Sequence, residues 1–363
     1  LKAPRPSRQL HSLHGGEPMQ KTRHNLAPLM IVIAAMVLTL APSWSTAGEQ
    51  EFFALGNYNL GSGKAIKDCA LGFRTYGTLN SARSNAVLFP TWYGGTSAEL
   101  EAFIGPGKML DTTRYFVIAV DSFGNGVSSS PSNSPGQKGR SFPQFTIEDM
   151  VRAQHRLAAE KYGIQRLHAV IGVSMGGMQA FQWAAAYPGA ARKIVAITGT
   201  PRPTAYDRLF FQTLLTALEG SRTQEGWDAV SLGTVAGLNA MASNTPARFN
   251  ALCSRENLAS QINRERDGLK KKDPLDLAWQ VKALLRHDIY ALPGAPANLA
   301  RLDRSSMLTV ISKQDVMVNP QPAMEFAAST RTGSVVFDSD CGHYIFQCEY
   351  ATITALVSEF LDK

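Results

Sequence analysis

The chain has 363 residues, of which 44% are hydrophobic and 18% are charged. This composition is typical of a globular protein and excludes a fibrous or mostly disordered chain. The formal charge is +7, but the first 47 residues hold five basic side chains and one acidic side chain, so the remainder carries +3. Such a weak charge gives no reason to expect a nucleic-acid partner.

The N-terminal segment has the features of a secretory signal peptide. From Met19, basic side chains precede an apolar run of 12 residues, Leu29 to Leu40, and Ser45 and Ala47 follow as the small residues of a cleavage site. The run is shorter than the ~20 residues that a membrane-spanning helix needs. We therefore expect residues 1–47 to be an upstream extension and a signal peptide. The mature protein is then exported, to the periplasm or outside the cell, with no stable membrane association. An uncleaved N-terminal anchor is the alternative.

Four cysteines follow this leader, at positions 69, 253, 341 and 348. An exported chain permits disulfides, and Cys341 and Cys348 are close enough in sequence to be a candidate pair, although spacing does not fix the connectivity. No motif has the spacing of metal ligands, and we expect neither a metal nor another cofactor.

Apolar runs rich in β-branched residues alternate with segments of helical period. The predicted strands are Ala86–Phe89, Tyr115–Val120, His168–Val173, Lys193–Thr198, Met307–Ile311 and Ser334–Phe337. The clearest helix follows Thr146, whose side chain suits an N-cap, and its apolar stripe continues to Tyr162. Strands that alternate with helices predict a mostly parallel sheet wrapped by helices.

Between residues 201 and 300 the pattern changes. Strand-like runs vanish, and the helix-like pieces Tyr206–Leu218 and Leu275–Tyr290 are separated by polar loops. One of these loops, RERDGLKKKDP, we interpret as solvated, with a binding patch as the alternative. The pattern predicts an α/β core in two parts, residues 48–200 and 301–363, interrupted by a helical lid at 201–300.

The segment GVSMG fits the pattern G-x-S-x-G, with Ser174 at its centre. A strand-like run precedes it and a helix-like run follows it, which is the context that a nucleophilic serine on a sharp turn requires. Glycines on either side allow the strand and helix to approach closely. A glycine-rich turn with an idle serine is the alternative interpretation.

A serine hydroxyl needs a base and an orienting acid to become a good nucleophile. After the leader four histidines remain, at positions 155, 168, 287 and 343. His343 follows the last predicted strand, and Asp315 follows the strand before it, so the chain order is the Ser, Asp, His of enzymes built on this turn. Asp338 and Asp340 are rivals for the acid, but both lie too near His343 in sequence to reach it easily.

An oxyanion hole needs two backbone N–H donors. The residue after the serine, Met175, begins the predicted helix and supplies one. The segment LFPTWYGGTS follows the strand at 86–89, so Trp92 is the candidate for the other. An ordinary glycine-rich turn is again the alternative.

Three segments together resemble one known family. DTTRYFVIAVDSFGNGVSSSPSN, SFPQFTIEDMVRAQHRL and AVIGVSMGGMQAFQWAAAYP are similar to the homoserine O-acetyltransferase-like family of the α/β-hydrolase superfamily. The resemblance implies the α/β-hydrolase fold with a helical lid. It also implies a triad of Ser174, Asp315 and His343, and the transfer of an acyl group from a thioester to a hydroxyl.

Two departures from that family bear on the acyl acceptor. Members that use homoserine carry an aspartate directly after the histidine, whereas this chain has Tyr344. The arginine that holds the substrate carboxylate has no clear counterpart, with Arg202 and Arg208 the only candidates. Acetyl-CoA is moreover a cytosolic metabolite that an exported chain does not meet.

We therefore expect an exported serine hydrolase of small acyl esters or thioesters, with Tyr93 and Tyr344 in its substrate pocket. An O-acyltransferase is the first alternative, and a catalytically silent binding protein is the second. Whether the protein forms a homodimer is left open.

Overall fold

The computed structural model describes residues 48–220, 222–223 and 226–363, and at 222 and 223 it describes the backbone alone. The predicted signal peptide therefore lies outside the described residues. The strands of the described part are β1 (Glu51–Asn59), β2 (Ala65–Tyr76), β3 (Ala86–Pro90), β4 (Phe116–Val120), β5 (Leu167–Val173), β6 (Ala191–Ile197), β7 (Arg222–Thr223), β8 (Gly226–Trp227), β9 (Met307–Ser312) and β10 (Gly333–Phe337).

The α-helices of the described part are α1 (Ile147–Arg156), α2 (Met175–Ala186), α3 (Ala205–Gly220), α4 (Ala229–Ser243), α5 (Pro246–Leu252), α6 (Leu258–Lys270), α7 (Pro274–Leu285), α8 (Ala295–Leu299), α9 (Gln321–Thr330), α10 (Ile345–Cys348) and α11 (Tyr350–Asp362). A π-helical turn, Leu157–Lys161, extends α1. No helix in the described part is both long and apolar enough to span a bilayer.

Eight strands form one sheet in the order β1-β2-β4-β3-β5-β6-β9-β10. The pairs β1/β2 and β2/β4 are antiparallel. The other six strands of the sheet, in the order β4-β3-β5-β6-β9-β10, are parallel to one another. The predicted fold class, a mostly parallel sheet with helices, is thus confirmed. In such a sheet the loops at the carboxyl ends of the parallel strands form the binding site.

Side chains alternate between the two faces of the sheet. In β3, Leu88 belongs to the core on the α1 and α2 side, whereas Val87 and Phe89 belong to the core on the α11 side. Both faces are therefore covered by helices, which explains why the central strands appear in the sequence as short, wholly apolar runs.

All six predicted strands are present, but β1, β2 and the short strands β7 and β8 were missed. Strand β1 lies at the edge of the sheet and β2 lies next to it. The two are antiparallel, and polar side chains interrupt their apolar pattern, as at Lys67 and Asp68 in β2. Asp68 also has a positive φ of 47°, which breaks the regular alternation of the strand. A strand that is exposed on one side leaves a weaker signal in the sequence than a buried strand.

The chain between β6 and β9 runs through six helices, α3 to α8, and the short β7–β8 hairpin. The interpretation of RERDGLKKKDP as a loop was wrong, although residues such as Lys270 and Lys271 are exposed to solvent as expected. Its first seven residues belong to α6, and Lys272 donates a hydrogen bond to the carbonyl oxygen of Gly94 at 2.6 Å. The sequence gives no sign of this contact because the two residues are 178 positions apart.

Helix α7 is attached to the core by polar contacts at one end of the sheet. The Asp276 carboxylate accepts hydrogen bonds from the N–H and hydroxyl of Ser132 at 2.9 and 2.6 Å. Trp279 Nε1 donates to the carbonyl oxygen of Phe142 at 3.0 Å. Burial is the largest influence on the Asp276 carboxyl and raises its pKa to about 7.

We expect the Asp276→Asn variant to gain stability relative to the wild type as the pH rises. The folded-state pKa lies above the unfolded value, so Asp276 contributes stability that is fully present at low pH and is lost as the pH rises through about 7. The free energy of unfolding of the wild type, relative to that of Asp276→Asn, should fall by roughly a few kcal/mol between pH 5 and 8. Urea denaturation of both proteins across this range measures it. A difference that does not vary with pH would contradict the assignment.

Candidate active site

The turn between β5 and α2 holds Ser174 in a strained conformation. Its φ is 56° and its ψ is −119°, a combination that costs an L-residue about 1–3 kcal/mol. The Ser174 N–H donates to the carbonyl oxygen of Ile197 on β6, and the Ser174 carbonyl accepts from the N–H of Met178 on α2, both at 2.9 Å. The sheet on one side and the helix on the other therefore fix this backbone.

Three glycines make the turn sterically possible. A methyl group on Gly172 would lie 1.9 Å from the carbonyl oxygen of Gly176. A methyl group on Gly176 would lie 2.7 Å from the carbonyl oxygen of Pro90, and one on Gly177 would lie 2.9 Å from that of Ile197. Helix α2 thus approaches β5, β3 and β6 more closely than any larger residue at these positions permits.

A continuous series of hydrogen bonds joins the predicted nucleophile, base and acid. Ser174 Oγ lies 2.8 Å from Nε2 of His343, and His343 Nδ1 lies 2.7 Å from Oδ2 of Asp315. Oδ1 of Asp315 accepts from the N–H groups of Met317 and Val318 at 2.9 and 3.0 Å. Because the carboxylate can only accept, His343 carries its proton on Nδ1 and leaves Nε2 free to accept from the serine.

Asp315 and His343 reach Ser174 from neighbouring strands. Asp315 lies in the loop after β9, and His343 lies in a 3₁₀ turn, Gly342–Tyr344, beyond β10. Gly342 at the start of that turn has a φ of 57°. The disulfide between Cys341 and Cys348, predicted as a candidate pair, encloses the turn. The loop that carries His343 is therefore covalently closed.

The other acids near His343 face away from it. Asp338 pairs with Lys313 at 2.7 Å, and the side chain of Asp340 is exposed. Both are thus separated from the serine by the loop that carries the histidine.

The other three histidines have structural surroundings. His155 stacks on the ring of Tyr187, with centroids 4.1 Å apart. His287 Nε2 lies 3.1 Å from the carbonyl oxygen of Thr200, and burial lowers its pKa to about 4. His168 lies within β5, and burial lowers its pKa as well. Burial therefore favours the neutral form of His168 and His287.

The two candidate oxyanion donors come from different segments of the chain. Met175 is the first residue of α2, and the first N–H groups of a helix have no partner within the helix. Trp92 follows β3, whose last residue, Pro90, contacts the first turn of α2 at Gly176. Trp92 and Ser174 line the same cavity.

Comparison with known proteins identifies the family. Residues 87–347 match the sequence profile of proteins with the alpha/beta hydrolase fold. The chain belongs to the α/β-hydrolase-fold family.

Two relatives and one solved structure show which members of this family the chain resembles. A homoserine O-acetyltransferase of Geotalea daltonii is 30% identical over 347 residues, which cover 84% of this chain and 94% of that protein. An ethyl acetate hydrolase of Pseudomonas veronii is 42% identical over 173 residues, 47% of this chain, and the match spans 50% of that relative. The crystal structure of an acetylester hydrolase from Corynebacterium glutamicum has a TM-score of 0.79 at 27% identity, covering 87% of this chain and 96% of that one.

The resemblance predicted from the sequence motifs is therefore confirmed. The relatives that this chain resembles are named as esterases, ester hydrolases and homoserine O-acyltransferases. No group of potential metal ligands occurs among the residues that the structure describes.

Ser174 and His343 line a cavity of about 470 Å³. Tyr93 and Tyr344, both predicted for the substrate pocket, line it. The Tyr93 hydroxyl is buried without a hydrogen-bond partner among the described residues, and burial raises its pKa, so the hydroxyl is neutral and free to donate.

Neither arginine considered for a substrate carboxylate lines this cavity. Arg202 lies over the ring of Tyr290, and Arg208 donates to the carbonyl oxygen of Leu285. The charged groups of the cavity wall were missed in the sequence, and they are Glu99, Glu265, Lys271 and Lys272. The polar run containing the two lysines was the available signal, but its position relative to Ser174 depends on the path of α6 and α7.

A second, smaller space adjoins Ser174 on its apolar side. Its volume is about 20 Å³, and Met178, Phe210, Phe211 and Leu214 are among the side chains around it. Such a volume holds about one water-sized group.

We expect Gly172→Ala to unfold more easily than the wild type and to lose activity. The added methyl would overlap the Gly176 carbonyl at 1.9 Å, and overpacking of this kind costs about 1–3 kcal/mol or more. Gly136→Ala is the matched control, since a methyl there meets no atom within 4 Å. Urea denaturation and ester hydrolysis measure both effects. Equal behaviour of the two variants would contradict the close approach of β5 and α2.

Proposed function

We propose that the protein is an exported esterase that hydrolyses short-chain acyl esters through an acyl-enzyme on Ser174. The observation that carries this proposal is the hydrogen-bonded series from Ser174 through His343 to Asp315, with its serine at the floor of the cavity. His343 is the general base, and Asp315 orients its ring and stabilises the imidazolium.

In the first half-reaction Ser174 Oγ attacks the ester carbonyl while His343 Nε2 takes the serine proton. The carbonyl oxygen becomes an oxyanion, for which the N–H groups of Trp92 and Met175 are the donors. When the intermediate collapses, the bond to the alcohol oxygen breaks, and His343 returns the proton to the departing alcohol. Water then attacks the acyl-enzyme by the same route and releases the carboxylic acid.

Hydrolysis is favoured over transfer to homoserine by the residue after the base. Tyr344 occupies the position where homoserine-using relatives carry an aspartate, and it packs against Phe346 with ring centroids 6.2 Å apart. A phenol offers no charge to an ammonium group. Arg202 and Arg208 do not line the cavity, so neither is placed to bind the carboxylate of an amino-acid acceptor.

The small space beside Ser174 indicates the acyl group. With about 20 Å³ it accommodates the methyl of an acetyl group but not an extended chain. The larger cavity then takes the alcohol portion. The ethyl acetate hydrolase and the acetylester hydrolase to which this chain is similar have names that agree with this proposal.

Export is part of the proposal and rests on two observations. One is the signal-peptide pattern between Met19 and Ala47, outside the described residues. The other is the disulfide between Cys341 and Cys348, since disulfides persist mainly in oxidising compartments. Detection of the processed chain in a periplasmic or culture fraction tests it.

The mature protein should hydrolyse p-nitrophenyl acetate, and Ser174→Ala should reduce kcat by at least about a thousandfold, because it removes the nucleophile. Release of nitrophenol measures the rate. Thr309→Ala, which alters a buried hydroxyl in β9 with no partner among the described residues, is the matched control and should retain activity. Full activity of Ser174→Ala would place the nucleophile elsewhere.

The same assay distinguishes hydrolysis from transfer. Products are analysed with and without homoserine or ethanol as acceptor. An esterase releases acetate without either one. Turnover that requires an acceptor would overturn the hydrolase proposal and favour the O-acyltransferase, which is the activity named for the Geotalea daltonii relative.

Activity should fall steeply as the acyl chain lengthens from acetate to butyrate. Leu214→Ala enlarges the small space beside Ser174 and should raise the ratio of butyrate to acetate activity by roughly tenfold, as expected when a pocket gains room for one or two methylenes. Leu215→Ala, also buried and on α3 but outside this space, is the matched control. An unchanged ratio in Leu214→Ala would show that the acyl group binds elsewhere.

A further inference from the structure

Two glutamines are fully buried beneath the active site and take no part in the reaction proposed above. Gln154 lies on α1 and Gln179 lies on α2, and neither has any exposed surface. A buried amide is costly unless its polar atoms are hydrogen-bonded. Their partners therefore indicate what the two side chains do.

The two amides form one continuous chain of hydrogen bonds. Trp183 Nε1 donates to Oε1 of Gln154 at 2.9 Å. Gln154 Nε2 donates to Oε1 of Gln179 at 2.5 Å. Gln179 Nε2 donates to the carbonyl oxygen of Thr91 at 3.1 Å and to that of Met175 at 3.3 Å. This series of hydrogen bonds thus leads from the core to the two segments beside Ser174.

The orientation of both glutamine amides is fixed by the groups at the two ends of the hydrogen-bond series. The indole N–H of Trp183 can only donate, so the oxygen of Gln154 must face it. The carbonyl oxygens of Thr91 and Met175 can only accept, so the nitrogen of Gln179 must face them. Reversing either amide would bring two donors or two acceptors together.

The hydrogen-bond series ends on the peptide group that supplies a proposed oxyanion donor. The carbonyl of Thr91 and the N–H of Trp92 belong to the same peptide group, and in a trans peptide they point in opposite directions. Gln179 holds the carbonyl towards the core, so the Trp92 N–H faces away from the core. Trp92 and Ser174 both line the same cavity.

Ser122 adds a second attachment at the same place. Its hydroxyl lies 3.0 Å from the hydroxyl of Thr91, and its N–H donates to that hydroxyl at 3.0 Å. The Ser122 hydroxyl is also 3.1 Å from Gln179 Nε2. The peptide group between Thr91 and Trp92 is thus held by its carbonyl and by its neighbouring side chain.

We propose that Gln154 and Gln179 are positioning residues that orient and polarise the oxyanion hole. This inference rests on the proposed function, since it takes Trp92 and Met175 as the oxyanion donors. A hydrogen bond to the carbonyl of a peptide makes the N–H of the same peptide a stronger donor, and aligned amides reinforce one another. Because Gln179 binds the carbonyls of both Thr91 and Met175, it also fixes the spacing between the two donor segments.

The test is a graded set of variants assayed with p-nitrophenyl acetate. Gln179→Met should lower kcat most, Gln154→Met less and Trp183→Phe least, because each removes a link farther from Thr91. For Gln154→Met we expect a loss of roughly tenfold to a hundredfold, less than the loss of a whole oxyanion donor. KM should change little.

Gln182→Met is the matched control. Gln182 lies on α2 and is equally buried, but its Nε2 has no hydrogen-bond partner among the described residues. The variant should keep the wild-type kcat. A kcat for Gln154→Met and Gln179→Met equal to that of this control would overturn the inference.

A pair of inhibitors separates orientation of the oxyanion hole from general damage to the fold. The trifluoromethyl analogue of benzylacetone forms a tetrahedral adduct with an oxyanion on the serine, whereas benzylacetone itself binds without one. In Gln154→Met the affinity for the trifluoromethyl ketone should fall by the same factor as kcat, with the affinity for benzylacetone unchanged. Equal losses for both ligands would overturn the inference.

Two controls keep the outcomes distinct. If Gln179→Met does not fold, as its urea denaturation curve would show, Trp183→Phe and Gln154→Met still test the order of effects. If Ser174→Ala retains activity, the proposed function fails. If Ser174→Ala is inactive and the glutamine variants match Gln182→Met, only the present inference fails.

Discussion

The active site depends on one backbone constraint, the close approach of β5 and α2 around Ser174. The strained φ of 56° at this residue persists because its N–H and carbonyl are bonded to β6 and α2. Gly172 and Gly176 allow the strand and helix to touch. The serine oxygen is thereby raised above the sheet, at the end of the helix where backbone N–H groups are free to stabilise an anion.

The remaining groups of the site converge on this fixed point because the strands are parallel. Their carboxyl ends share one edge of the sheet, so Asp315 after β9 and His343 after β10 reach the same place. The disulfide that closes the His343 loop and the two N–H donors on Asp315 restrict both side chains. Little reorganisation is then needed when the serine proton moves.

The helices between β6 and β9 determine what reaches the serine. Helix α7 is bonded to the core through Asp276 and Trp279. Gln280 on the same helix accepts from the Gly94 N–H at 2.7 Å and donates to the carbonyl oxygen of Phe123 at 3.0 Å. The helix that encloses the substrate cavity is therefore also attached to the loop that follows β3, so the cavity and the proposed oxyanion hole share one support.

The sequence by itself determined the fold class, the serine turn and the order of the three reactive groups. A buried parallel strand must be apolar on both faces, and a sharp turn between strand and helix must carry glycines, so both leave local patterns. Asp315 and His343 could be chosen because they follow predicted strands. Only the tertiary structure decided the rest. The bonds of Lys272 and Gln280 to Gly94 join residues 178 and 186 positions apart. The small space beside Ser174 is lined by side chains of α2, α3, α4 and α7. Such contacts arise from the packing of whole elements, and no local pattern records them.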